Sequence, residues 1–297
     1  VSVTADLEAP RAARSDAFTD AVTVSFGDAG AGVYGTARLG LAGGEQASGL
    51  VLLFAAGELV TVAAEGGVPA ADPSSWEGVS AAGLDIATVE PLRAWRVSFA
   101  GEEAALDLEL RAAGVPCALD ERDPVARAGG MAGFEQPVHV SGEAVLGGRK
   151  QSLDALGQRG RSWGAPDWGD LERTRTASAW FADRAVSLAA IGRRGTDGHG
   201  REVLGATLFG PDGEGCARIE DPRLSTTFDG DGRQRRAGME LWQHADDERP
   251  LRLEGTVVCG TTLDLGRLRL DCAFLRWRMD GFEGVGRYDV LRRTADA

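Results

Sequence analysis

Lysine is almost missing from this chain: Lys150 is the only one among 32 basic residues, and arginine supplies the rest. Such lopsided usage, beside 42 glycines and two tyrosines, reflects a GC-rich coding bias, so the arginine total points to no ligand by itself. The net charge of −13 means that acidic residues outnumber basic ones. That balance opposes capture of a phosphate backbone or an anionic bilayer, and nucleic acid is not an expected partner. Only His139, His199 and His244 offer imidazoles, and no two stand at ligand spacing. The four cysteines, Cys117, Cys216, Cys259 and Cys272, lack the close pairs of a zinc site or a redox dithiol, so no metal centre is expected. Cys259 and Cys272 read as small buried residues. Residues 1–14 lack the basic start and apolar run of a secretory signal, and the longest apolar run, residues 50–56, falls far short of the about twenty residues that cross a bilayer. A soluble cytoplasmic protein without stable membrane insertion is the expectation. The glycine strings at 27–32 and 281–286 open no helix after a buried strand, which argues against a nucleotide loop, and no G-x-S-x-G elbow is present.

What the chain does have is period-two alternation. Val33, Gly35, Ala37, Leu39 and Leu41 share one face against Tyr34, Thr36 and Arg38, and Leu106, Leu108 and Leu110 alternate with Asp107, Glu109 and Arg111. These are half-buried antiparallel strands. Similar segments lie at 21–26, 49–54, 59–64, 92–100, 135–146, 174–182, 186–193, 202–209, 235–242, 251–259, 267–279 and 284–291. Turn signals at Gly43-Gly44, Asp197-Gly198, Asp212-Gly213 and Asp229-Gly230 separate some of them. The expected fold class is all-β, with short helical pieces only near 10–17 and 72–76. At 297 residues the chain exceeds what one core usually organises. Alternation disappears between Gly114 and Gly133, where Pro116, Pro124, charges and glycines gather, so two consecutive β domains are expected, 1–130 and 131–297. Within 267–279 the apolar phase moves from Leu268, Leu270, Cys272 and Phe274 to Leu275, Trp277 and Met279, which predicts a β-bulge near Phe274-Leu275.

Chemistry concentrates in residues 156–168, LGQRGRSWGAPDW, read as a glycine-punctuated turn. Gln158, Arg159, Arg161, Ser162 and Asp167 bring directional polar groups beside the indoles of Trp163 and Trp168. Polar tips against aromatic walls suit an apolar organic ligand. Arg159 and Arg161 can hydrogen-bond a carbonyl or carboxylate and polarise it, or can instead hold the protein's own carbonyls and acids. Trp180, Trp242 and Trp277 are further candidate ring walls, or core filling. Proton-initiated chemistry on an alkene needs a protonated carboxylic acid in a dry site, for which Glu135 and Asp167 stand nearest and Glu283 is a third candidate. Asp167 can equally pair with an arginine. Gln136 adjoins Glu135, and His139 shares Glu135's strand face.

Together with FEQPVHVSGEAVLGG at 134–148, the 156–168 segment resembles the two-domain lipocalin-like proteins of the hydroxyneurosporene synthase (carotenoid hydratase) and AttH-like group, whose architecture fungal Diels-Alderases share. A weaker likeness covers 24–41. In that group an acidic residue and Gln open a strand, a glycine-bearing strand follows, then a turn G-x-RDHSWG and an Asp-Trp pair. Here Glu135-Gln136 and Asp167-Trp168 match, but Gly160 and Arg161 stand where the group has Asp and His. Any acid or base role at those two positions is lost. The resemblance implies two consecutive lipocalin-like barrels and a cofactor-free enzyme of secondary metabolism acting on an apolar polyene, terpenoid or polyketide. It implies cyclisation or, as the alternative, hydration of an isolated C=C bond; a noncatalytic lipid or isoprenoid carrier is a third reading.

Overall fold

The computed structural model describes residues 2–71, 73–195, 202–210, 215–244 and 246–294. The expected turns at 197–198 and 212–213, and His199, lie outside them. The chain forms two compact units: Val1–Asp120 with Met131–Ala165, and Glu121–Gly130 with Pro166–Ala297. This departs from the expected division at residue 130. Two long strands that the sequence assigned to the second domain are hydrogen-bonded into the first sheet, and the glycine-flanked segment between them and the rest of unit 1 joins unit 2 instead.

Unit 1 is an antiparallel sheet of β1 (Thr19–Asp28), β2 (Val33–Ala42), β3 (Gln46–Ala55), β4 (Glu58–Pro69), β5 (Ser80–Ala81), β6 (Leu84–Glu90), β7 (Ala94–Ala100), β8 (Ala104–Ala112), β9 (Cys117–Leu119), β10 (Met131–Leu146) and β11 (Arg149–Gly164). Its order is β4-β3-β2-β1-β11-β10-β8-β7-β6-β5, with β9 on β10. The sheet curls until β5 lies against β3. Gly49 permits that closure, since a Cβ there would sit 2.3 Å from the Ala81 carbonyl oxygen. Inside, Val22, Val24 and Phe26 of β1, Leu108 and Leu110 of β8, Val138 and Val140 of β10 and Leu153 and Ala155 of β11 form one apolar core.

Unit 2 begins with α1 (Pro124–Gly129), started by Asp123, whose carboxylate accepts from the Val125 amide at 3.0 Å, and ended by Gly130 at φ 65°. Near the helical pieces expected at 10–17 and 72–76, the second of which begins outside the described residues, single 3-10 turns form at Ala5–Glu8 and Trp76–Gly78. The sheet comprises β12 (Leu171–Trp180), β13 (Ala185–Arg193), β14 (Val203–Phe209), β15 (Cys216–Arg218), β16 (Asp221–Phe228), β17 (Gln234–Trp242), β18 (Leu251–Asp264), β19 (Leu268–Met279) and β20 (Phe282–Arg293), ordered β15-β14-β13-β12-β20-β19-β18-β17-β16. The Ile219 amide just before β16 donates to Ala206 of β14, curling this sheet as well. Both units are the curled antiparallel sheets that the all-β expectation requires.

The bulge lies on the neighbouring strand. Register slips between Val257 and Cys259 of β18, opposite Leu275 and Phe274, while β19 runs unbroken against β20. β19 keeps its phase because both faces are buried from Leu270 to Leu275, so apolar residues of either parity are accommodated.

Candidate functional site

The segment 156–164 is the second half of strand β11, and the turn begins only beyond Gly164. Its alternation is visible once the glycines are read as strand residues: Leu153, Ala155, Gly157, Arg159, Arg161 and Trp163 share one face. The first two belong to the apolar core, so the same face carries both guanidinium groups inward, where they are 0% and 1% exposed. Gln158, Gly160 and Ser162 take the opposite face. On β10 the even positions Phe134, Gln136, Val138 and Val140 point inward, whereas Glu135 is half-buried on the other face with exposed His139.

Each inward arginine lies against an indole and a carboxylate. The Arg159 guanidinium is 4.6 Å from the Trp95 ring and 5.7 Å from that of Phe134, and its Nη2 donates to Glu8. Arg161 stacks 4.6 Å from Trp76. Its Nη1 donates to Asp20 at 2.7 Å and to the Ala21 carbonyl at 2.7 Å, and its Nη2 reaches Asp20 at 3.1 Å and the Ala9 carbonyl at 2.9 Å. Of the two uses open to these arginines, holding the protein's own acids and carbonyls is the one they adopt. Burial pushes the Arg159 guanidinium down to about 10, opposed by Glu8 and reinforced by Arg161. Gln136 donates to the carbonyls of Leu92 at 3.0 Å and Gly114 at 2.8 Å, and its Oε1 accepts nothing. Trp163 packs with Phe18, Ala132 and Phe134, and the Arg11 guanidinium lies 5.1 Å from its ring.

The expected site is thus assembled only in part. Unit 1 gathers Gln136, Arg159, Arg161 and Trp163 at one end of its interior, and adds three groups that sequence reasoning missed: Trp95, Trp76 and Glu8. Trp95 shows a period-two signal with Val97 and Phe99, but nothing in the sequence pairs Glu8 with Arg159, 151 residues away. Asp167, Trp168, Trp180, Trp242 and Trp277 belong to unit 2. There Asp167 is exposed and caps a turn, accepting from the Gly169 amide at 2.7 Å, and the Trp168 carbonyl accepts from Arg293 at 2.8 Å. Trp180 and Trp277 are core residues at 1% and 0% exposure, and Trp242 lies under Arg223. Glu283 is exposed and paired with Arg278 at 2.9 Å.

Unit 2 has its own buried guanidinium. Arg175 reaches Glu202 and donates to Thr226 at 3.1 Å and Tyr288 at 3.3 Å, while Thr226 and Tyr288 share a hydrogen bond of 2.6 Å. Among the described residues no group of three His, Cys, Asp or Glu side chains is placed to hold a metal ion, and no helix is long and apolar enough to cross a membrane. An open groove of about 610 Å³, lined by Val60, Glu103, Ala104, Val145 and Gly147 among others, lies at the hairpin end of β10 and β11, a strand length from the arginines.

Residues 4–294 match the family model DUF7064, a domain of unknown function. No curated protein matches the sequence. Among solved structures, an AttH-like protein from Nitrosomonas europaea is similar, with 13% identity, 93% of each chain covered and a TM-score of 0.70. Kievitone hydratase from Nectria haematococca covers 98% of this chain and 93% of its own at 11% identity and a TM-score of 0.68. CghA, solved with Sch210972, covers 94% and 89% at 12% identity and the same TM-score. At such identities the likeness establishes the fold, and it is the two-domain lipocalin-like fold that the 134–148 and 156–168 motifs pointed to.

Proposed function

The chain belongs to the DUF7064 family, and from its lipocalin-like fold and the motifs at 134–148 and 156–168 we propose that it is a cofactor-independent enzyme acting on an apolar small molecule, a cyclase in preference to a hydratase. The observation that carries the reading is the inner end of unit 1, where Gln136, Arg159 and Arg161 stand among Trp76, Trp95, Phe134 and Trp163. Aromatic walls supply contact area and hold a flexible polyene, terpenoid or polyketide in a folded shape, and ordering alone is worth about 7–11 kcal/mol in well-oriented intramolecular reactions. The solved relatives include a hydratase and a protein holding a small organic molecule, which supports a small-molecule substrate.

The preference for cyclisation comes from the acids. Among the described residues the buried carboxylates Glu8, Asp20, Glu202 and Asp271 each accept from arginine, so their oxygens are engaged by the protein's own guanidinium groups. Asp167 and Glu283 face solvent. A reaction steered by shape and by hydrogen bonds to a carbonyl asks for no such donor. The test is mass spectrometry of small molecules that co-purify with the protein, followed over time on re-incubation. Conversion to an isomer of equal mass supports cyclisation, and gain of one water supports hydration. Recovery unchanged would point to the carrier reading and remove the enzyme. Glu135, half-buried on the outer face of β10, is the remaining candidate acid. Glu135→Gln, Asp167→Asn and Glu283→Gln, each made separately, are expected to leave turnover unchanged; a loss of tenfold or more in any of them restores a proton-donor mechanism.

A further inference from the structure

The Glu8 carboxylate occupies a cradle made by three elements. Arg159 Nη2 of β11 binds one oxygen; the Trp95 indole N–H of β7, at 3.2 Å, and the Leu92 amide, at 3.0 Å, converge on the other. Guanidinium, indole N–H and backbone N–H aimed at two oxygens of one carboxylate make a receptor for an organic acid. Two further observations mark it. Arg159 is 0% exposed, yet its Nε and Nη1 have no hydrogen-bond partner. Leu92, which supplies the amide, is held at φ 61°, a region that side chains other than glycine rarely adopt, with its carbonyl pinned by Gln136.

The segment that delivers Glu8 lies outside the strands and is held by side chains, Arg11 among them, whose guanidinium lies 5.1 Å from the Trp163 ring. Ahead of β1 it forms one 3-10 turn, Ala5–Glu8, in which Glu8 alone is buried. Leu7 and Val3 pack partly against the Phe18, Ala132, Phe134 and Trp163 cluster, and beyond Glu8 the Ala9 carbonyl and the Arg11 amide are held by Arg161 and Asp20. We infer that this cradle is a binding site for an organic carboxylate bearing an apolar body, and that Glu8 on its strap occupies the site in the resting protein as an intramolecular competitor. The exchange replaces one carboxylate by another, so the buried guanidinium is never left without a counter-charge. A tethered group competes at an effective concentration on the order of millimolar, so a millimolar carboxylate with no further contacts meets it on even terms at best. The ligand must therefore bring an apolar portion that takes the place of Leu7 against Phe134 and Trp163. This goes beyond the reaction proposed above, because it concerns binding and control and holds whether or not the chain turns a substrate over.

The probe is 3-phenylpropanoate, with 3-phenylpropanamide as the uncharged control, and the first readout is tryptic cleavage of the wild-type protein after Arg11. The acid at millimolar concentration is expected to accelerate that cut at least tenfold by releasing the strap, and the amide to leave it unchanged. An unchanged rate with the acid overturns the inference and leaves Glu8–Arg159 as a fixed structural pair. Equal acceleration by the amide overturns the carboxylate assignment. Calorimetric titration of Glu8→Gln, which keeps the shape of the competitor and removes its charge, is expected to show the acid binding at least tenfold tighter than in the wild type. Equal affinity in the two proteins overturns the competition.

Discussion

Replacing Asp20 by Leu would leave Arg161 buried without its counter-charge, and the size of the effect follows from the geometry. Both side chains are essentially unexposed, at 1% and 0%, and are joined by hydrogen bonds of 2.7 and 3.1 Å. Removing one partner of such a pair costs about 3–5 kcal/mol, because the remaining charge pays full desolvation, whereas removing both can be close to neutral. In the double variant with Arg161→Met, the Ala9 carbonyl is on an exposed residue and can turn to water, the Arg11 amide released by Asp20 is on a half-buried residue and can do the same, the Ala21 carbonyl keeps its place in the sheet, and the Met chain still covers Trp76. Asp20→Leu alone is therefore expected to lose about 4 kcal/mol and the double variant less than about 2, a coupling well above the few tenths seen for independent sites. Equilibrium urea unfolding of wild type, both singles and the double measures this; with slopes of about 1–3 kcal/mol/M the single shifts the midpoint by over 1 M. A loss below about 1 kcal/mol for Asp20→Leu, or a double variant as damaged as the two singles summed, refutes the reading of this pair as a mutually dependent buried charge couple.

Close packing and burial give three further expectations. A Cβ at Gly286 would lie 1.9 Å from the Ser178 carbonyl oxygen, whereas one at Gly66 meets nothing within 4 Å. Gly286→Ala should therefore abolish soluble folded protein while Gly66→Ala stays within about 0.5 kcal/mol of wild type in thermal unfolding, and a well-folded Gly286→Ala would contradict the strand packing. Burial pushes the Cys259 thiol up to about 12, and burial with the neighbouring Asp289 charge pushes Cys272 higher still. Neither should react with iodoacetamide at pH 8 until the protein unfolds, and rapid native-state labelling would refute their burial. Because the folded thiols are held above their ordinary value of about 8.5, their contribution is constant only well below that value; stability should begin to fall as pH rises past about 8, where the unfolded thiols ionise, and keep falling towards 12.

The strands were legible where side chains alternate in polarity, as on β8 and β20, since the pleat imposes a period of two on any half-buried strand; β2, expected to be half-buried, is buried on both faces, with Tyr34 and Thr36 covered as well. Legibility failed on β11, where Gly157, Gly160 and Gly164 resembled turn residues. In fact Gly157 is demanded by close packing, a Cβ there lying 2.4 Å from the Ser25 carbonyl oxygen, while Gly160 has ordinary space around it. The domain boundary was placed before β10, where alternation disappears between Gly114 and Gly133, instead of after β11, because the pairing of β11 with β1, more than a hundred residues earlier, leaves no local trace. β6 and β16 were missed for a different reason: β16 carries a mostly exposed, polar pattern, and β6 loses its buried face after Ile86.

By itself the sequence determined the composition of the strands, the all-β class, the family motif and the concentration of guanidinium and indole groups around residue 160. These are local quantities, fixed by side-chain polarity and backbone freedom over a few residues. Only the tertiary structure decided what those groups touch. It carried Glu8 and Asp20 to Arg159 and Arg161, turned Glu135 to the outer face and placed Asp167 in a solvent-facing turn. A buried charge is tolerated only where distant strands bring its partner within hydrogen-bonding distance, and that pairing is a property of the closed sheet, with no signature in the residues on either side.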